Sequence, residues 1–304
     1  MRGLHTAKRL AYDPSLGLGS FLPPPALHVV AVDYQQGLLD RLNEEVRGTE
    51  MSDMSVMQTI ISAATDRTRV LAFNYASLAL NNHFFLENLK PLSPPYPDHQ
   101  HLISPTLAQE IRAQHGSLAQ LKSTFSAAAT GLFTSGYVWF VTDAAGNTAV
   151  VPTFGPGSVL VRSQMYMAYL KGLGGKESGG GDDLLTRYTT PPTSLSHPTA
   201  FDLLTSDSPP STSTSSSSSS PSTPPPLSSS PSTSSRPRST TRGQSLTLTA
   251  AGDTLYPLFC VSVHEHAWLS AGYGVWGKER WLKAFWDVVD WGKVSTAYEY
   301  FRVR

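Results

Sequence analysis

His264 and His266 stand two positions apart in VSVHEHAW (261–268), with Glu265 between them. Imidazoles are the commonest metal ligands and titrate near neutral pH, so this pair could begin a metal site. A strand over 260–266 would turn both rings to one face. Two imidazoles without a placed third ligand otherwise read as packing or interface residues. His99 and His101, in DHQH (98–101), fall on a Pro-rich stretch and read as solvated. Cys260 is the single cysteine. That excludes an internal disulfide framework and any multi-cysteine zinc or iron–sulfur site. Cys260 itself reads as a small apolar core group.

The chain that must position these groups has 304 residues, 40% hydrophobic and 15% charged, with 23 Lys+Arg against 23 Asp+Glu. Its composition is uneven. Between 211 and 240 every residue except Leu227, Arg236 and Arg238 is Ser, Thr or Pro. Such a tract has nothing apolar to offset chain entropy, so it forms no core. Setting aside its two arginines, and Arg2, Lys8 and Arg9 of the terminus, leaves acids in excess. That excludes RNA binding by bulk charge. No apolar run reaches membrane-spanning length, so no membrane partner is expected. The first twelve residues, MRGLHTAKRLAY, are basic and free of acid, and could place Leu4 and Leu10 together on a loose helix. They suit a mitochondrial presequence as well as a frayed basic terminus.

The periodicities predict helices over 33–47 (Leu38, Leu39, Leu42 and Val46 on one face), over 55–89 with breaks, and from Ser104-Pro105 to about 114. Another follows with Leu118, Leu121 and Phe125 on one face. GYVWFVT (136–142) and AVV (149–151) flank Gly146-Asn147 and read as a hairpin, and LYPLFCVSV (255–263) reads as a further strand. RWLKAFWDVVDW (280–291) closes as a helix with Trp281, Phe285, Val288 and Val289 in one stripe. The class is α+β: an N-terminal helical hairpin, then a small antiparallel sheet with surrounding helices. The divisions are a presequence or extension (1–22), a hairpin domain (23–92), the first part of the α/β domain (93–162), a low-complexity insertion (163–245) and its second part (246–304). A long insertion between strands is closed cheaply, because closure entropy grows only with the logarithm of length.

Three segments, in order, resemble the iron/manganese superoxide dismutase family. PLFCVSVHEHAWL (257–269) with WLKAFWDVVDW (281–291) is similar to the family's strand ending in Asp-x-Trp-Glu-His-Ala and its later helix. HGSLAQLKSTFSAAATGLFTSGYVWF (115–140) is similar to its helix leading into Gly-Ser-Gly-Trp-x-Trp. LNNHFFLENLKP (80–91) resembles its Trp-Asn-His-x-x-Phe-Trp-x-x-Leu-x-Pro. The resemblance implies three His and one Asp around one metal, with a solvent molecule as fifth ligand. Carried over residue by residue, the Asp falls on Ser262, one His on Asn82 (with His83 adjacent), and the first-helix His near Val30 (with His28 close by). Only His266 keeps its ligand. A hydroxyl replaces a carboxylate poorly on a hard cation. The gateway Tyr falls on Leu38, the two alternative Gln positions on Leu78 and Phe133, and the Trp on His264.

Glu265-His266 persists. In the family that Glu reaches across a two-fold interface to the other subunit's ligand, so Glu265, His266 and His264 are interface candidates. The fold without its ligand set, after a basic terminus, resembles the superoxide-dismutase-like proteins of the mitochondrial small ribosomal subunit, best known in fungi. That branch implies a non-catalytic scaffold in the mitochondrial matrix with no cofactor. Its expected partners are mitochondrial ribosomal proteins, among them a related superoxide-dismutase-like subunit, with local ribosomal RNA contacts at spots such as Arg302 and Arg304. The competing expectation is an active mitochondrial dismutase, in which His28, His83 and His266 converge.

Overall fold

The computed structural model describes residues 5–64, 66–160 and 255–302. The insertion read over 163–245 lies outside them.

Pro24, in a first turn where no intrahelical N–H bond is lost, opens α1 (Pro24–His28). A π-helical turn, Val29–Asp33, carries it into α2 (Tyr34–Val46). Ser55 and Gln58 cap each other's backbone at the start of α3 (Val56–Ala63), a reciprocal arrangement that satisfies two orphan donors. α4 (Val70–Glu87) then runs beside α2 and α3. The predicted stripe Leu38, Leu39, Leu42 and Val46 is buried, with Ile60, Ala72 and Ala76 in the same cluster. α4 buries residues on several faces, because its lower half also enters the main core through Phe85 and Leu86.

Ser104 caps α5 (Pro105–His115) by accepting from Leu107 N–H, and Ser117 caps α6 (Leu118–Gly131) in the same way. Between them Gly116 takes φ +80°, a left-handed turn that favours glycine. The sheet has the order β2 (Thr148–Phe154), β1 (Gly136–Thr142), β3 (Tyr256–Ser262), all antiparallel. β1 is central and buried along its length. Pro257 sits on the edge strand β3, where its missing N–H is tolerated. Gly136 pairs so closely with β2 that a Cβ there would lie 2.1 Å from the Thr153 carbonyl oxygen. These elements are the α+β arrangement the sequence predicts.

After β3 come α7 (Glu265–Ser270), α8 (Lys278–Val288) and α9 (Trp291–Arg302). The single helix expected over 280–291 is broken. Val289 is extended and bridges to Leu89, and the Asp290 carboxylate accepts from Lys293 N–H to open α9. The core behind the sheet is aromatic. Phe259 lies 5.2–6.1 Å, ring to ring, from Phe125, Phe140, Phe285, Trp286 and Trp291. Such pairs add about 0.5–1.5 kcal/mol each beyond their buried area.

Residues 5–22, read from sequence as a presequence or extension, pack on this body. His5 N–H donates to Asn43 Oδ1 and Asn43 Nδ2 returns a bond to the His5 carbonyl. The half-buried Tyr12 donates its hydroxyl to the Leu86 carbonyl. Leu18, Phe21 and Leu22 are fully buried.

Candidate functional site

Some of the positions singled out in the sequence lie on elements that adjoin one another, the π-helical turn, α4, β3 and α7. Asn82 on α4 and Ser262 at the end of β3 are fully buried, and Val30 lies in the π-helical turn. His264 and His266 do not lie on a strand, as their spacing allowed. β3 ends at Ser262, His264 precedes α7, and His266 is in its first turn. The two rings still come together, with centroids 5.5 Å apart. Tyr34 packs on His266 at 4.1 Å and Tyr137 on His264 at 5.2 Å.

The recess they share is polar and uncharged. Among the described residues, Asn82 Oδ1, His264 Nε2 and His266 Nε2 are buried without a hydrogen-bond partner, while the Tyr137 and Ser262 hydroxyls, on paired strand positions, have only each other. Burial pushes the His264 and His266 imidazoles down to about 4, and His266 adds to the effect on His264. Burial also raises the Tyr34 hydroxyl to about 12, and holds that of Tyr137 well above its ordinary value. Near neutral pH every one of these groups is therefore neutral.

Tested against iron or manganese, this donor set does not fit. A hard, multiply charged cation needs anionic oxygen to offset its desolvation. Ser262 offers a neutral hydroxyl, Val30 no side-chain donor, and both amide hydrogens of Asn82 are spent on the Val30 carbonyl and Gln35 Oε1. His266 alone presents a free imidazole at a family ligand position. No group of three or more His, Cys, Asp or Glu able to hold a metal occurs among the described residues.

His28, His83 and His266 do not converge. His28 is exposed and faces Asp33 at 3.4 Å, while His83 faces Glu87 at 3.8 Å. Leu38 belongs to the hairpin's apolar cluster, and Phe133, 97% exposed, is not part of the recess. His99, read as solvated, is buried with Nε2 3.3 Å from the Lys90 carbonyl, because its loop folds back on the body. Glu265 is exposed at the start of α7. The sequence reading passed over Tyr34 and Gln35. Tyr34 precedes Leu38 by one helical turn on the same face, and that spacing was the available signal.

The lowered imidazoles give a pH dependence. Unfolded, each binds its proton near the ordinary 6.5; folded, near 4. Between those values the unfolded chain holds more protons, so stability falls as pH drops through that window and is complete above it. Allowing for partial exposure, the loss is on the order of 1–2 kcal/mol per imidazole. Urea denaturation from pH 7 to pH 4.5 measures it, and His266→Asn flattens the curve.

The family described as iron/manganese superoxide dismutases, C-terminal domain, matches residues 103–168 and 234–297. Small ribosomal subunit protein mS43 of Schizosaccharomyces pombe is 29% identical over 150 residues, covering 48% of this chain and 56% of the relative. An iron superoxide dismutase of Nostoc sp. is 33% identical over 110 residues, covering 36% and 52%. One from Leptolyngbya boryana is 32% identical over 148 residues, covering 47% and 71%. The chain thus spans little more than half the length of the first two.

Proposed function

The chain belongs to the iron/manganese superoxide dismutase family, and from that membership and the chemistry of its centre we propose that it is a non-catalytic scaffold of the mitochondrial small ribosomal subunit. The observation that carries this reading is the donor set: a family centre in which Ser262, Asn82 and Val30 leave His266 without companion ligands. The similarity to a protein named as a small ribosomal subunit component supports the assignment to that particle. The same reading gives mitochondrial localisation, ribosomal proteins as partners, and local RNA contacts at exposed residues such as Arg302; Arg304 lies outside the described residues.

Within the particle the chain pairs with a related subunit of the same fold. Glu265 stands exposed beside the recess. Leu269 on α7 and the loop after it present apolar surface, with Val275 73% and Trp276 95% exposed. Exposed apolar surface of this kind marks a contact face.

The test is sedimentation of a gently lysed mitochondrial extract. The chain co-migrates with the small ribosomal subunit and leaves those fractions when the subunit is dissociated. The purified chain carries no stoichiometric iron or manganese by elemental mass spectrometry. A slow peak of dimer size with a full metal complement would overturn the proposal in favour of an active dismutase.

A further inference from the structure

In a metal centre assembled from several elements, the ion is also a mechanical pin: binding free energy becomes folding free energy. The donor set here does not fit that pin, yet the elements still meet. What joins them is a pair of buried carboxamides. Asn82 Nδ2, on α4, donates to the Val30 carbonyl at 3.0 Å and to Gln35 Oε1 at 2.9 Å. Gln35 Nε2, on α2, donates to the Ala79 carbonyl of α4 at 3.1 Å. Asn82 is fully buried and Gln35 is 6% exposed. Three hydrogen bonds thus close a bracket between residues 30–35 and 79–82. In a buried, neutral setting each is expensive to leave unmade.

The local backbone suits the bracket. Val30 lies in the π-helical turn, where Tyr34 N–H reaches back to the Val29 carbonyl rather than to Val30. Such turns are departures from the ordinary ladder that recur at functional sites. The residue type at 82 also matters. A carboxamide has two N–H donors on one nitrogen and can serve both acceptors at once. A neutral imidazole, the side chain the family places at this position, carries only one N–H.

We infer that the Asn82–Gln35 carboxamide pair has taken over the metal's structural role, tying α4 to the Val30–Gln35 segment so that the native state is independent of metal. This rests on the non-catalytic reading and deepens it. It is separable from the ribosomal assignment, because it is read from the purified chain alone.

The experiment is thermal unfolding of the full chain with excess EDTA, with added Mn²⁺ and with added Fe²⁺ under anaerobic conditions. The melting temperature is the same in all three, since a ligand bound only by the native state would raise it. Asn82→Ala, which strands the Val30 carbonyl and Gln35 Oε1, lowers the melting temperature by roughly 3–8 °C. Gln35→Met, which keeps the volume and leaves the Val30 bond in place, lowers it by less. The two losses combined are smaller than their sum, because both variants break the same bond. A melting temperature raised by Mn²⁺ or Fe²⁺, or lowered by EDTA, overturns the inference, as does an unchanged melting temperature in Asn82→Ala. If Asn82→Ala yields no folded protein, Gln35→Met and the metal titrations decide alone. Sedimentation away from the ribosome with a metal-independent melt would sink the ribosomal assignment and leave the bracket standing.

Discussion

Ser262→Asp lowers the melting temperature at pH 7 by roughly 6–20 °C, the equivalent of about 3–5 kcal/mol for a buried charge without a partner. Ser262 is fully buried and pairs across the sheet with Tyr137, whose hydroxyl burial keeps protonated, and His264 and His266 just beyond it are held neutral, so no cation faces it. A carboxyl introduced there has a folded pKa raised by desolvation. Its penalty is therefore small below the ordinary carboxylate range and grows as pH rises through the folded value. The loss relative to the parent chain should widen from pH 5 to pH 8. No dismutase activity accompanies it when Mn²⁺ or Fe²⁺ is supplied, because Asn82 and Val30 still provide no imidazole. A variant as stable at pH 7 as its parent would falsify the reading of this centre as neutral and without a counter-charge, and elemental analysis of that variant and its parent would then show whether a bound cation supplies it.

Phe21→Ala costs about 3–5 kcal/mol, the usual loss for deleting a fully buried phenylalanine. Its ring stacks on Trp281 at 4.8 Å and meets Phe285 at 5.4 Å and Phe85 at 6.2 Å. It thus joins the N-terminal arm, α4 and α8 in one contact. Chemical denaturation measures the loss directly. Truncation to begin at residue 22 removes the same ring together with Tyr12 and the His5–Asn43 clasp, and costs at least as much. A truncated chain with unchanged stability would show that the arm is dispensable and that a boundary at 22 is permitted.

The fold was legible wherever periodicity and punctuation agreed. β1 over 136–142, the Ser104-Pro105 start of α5 and the buried stripe of α2 all follow from local patterns with one physical solution each. The break between α8 and α9 was not legible, because Val289 is extended through a bridge to Leu89, a tertiary contact that no local rule supplies. At the site, carrying the family pattern across residue by residue picked out Asn82 on α4, Ser262 at the end of β3 and His266 at the start of α7, elements that adjoin one another. It passed over Tyr34 and Gln35, whose part comes from the π-helical turn. The wider turn there changes where the preceding residues stand relative to α2, while the four-residue spacing of Tyr34 from Leu38 within α2 was readable and went unused. It also placed Phe133 at a Gln position, although the side chain stands in solvent.

The strand order carries a kinetic consequence. β1 pairs on one side with β2, reached through the short Gly146-Asn147 turn, and on the other with β3, so that Thr142 faces Tyr256 across a very long stretch of chain. The first pairing is local and quick; the second waits on the closure of a large loop and on the synthesis of everything between. Until β3 arrives, one edge of the most apolar strand presents unpaired N–H and C=O groups beside Val138 and Phe140. That is a template for pairing with another chain. The nascent protein therefore passes through an interval in which that edge is exposed, and the interval lengthens with the number of residues between β1 and β3.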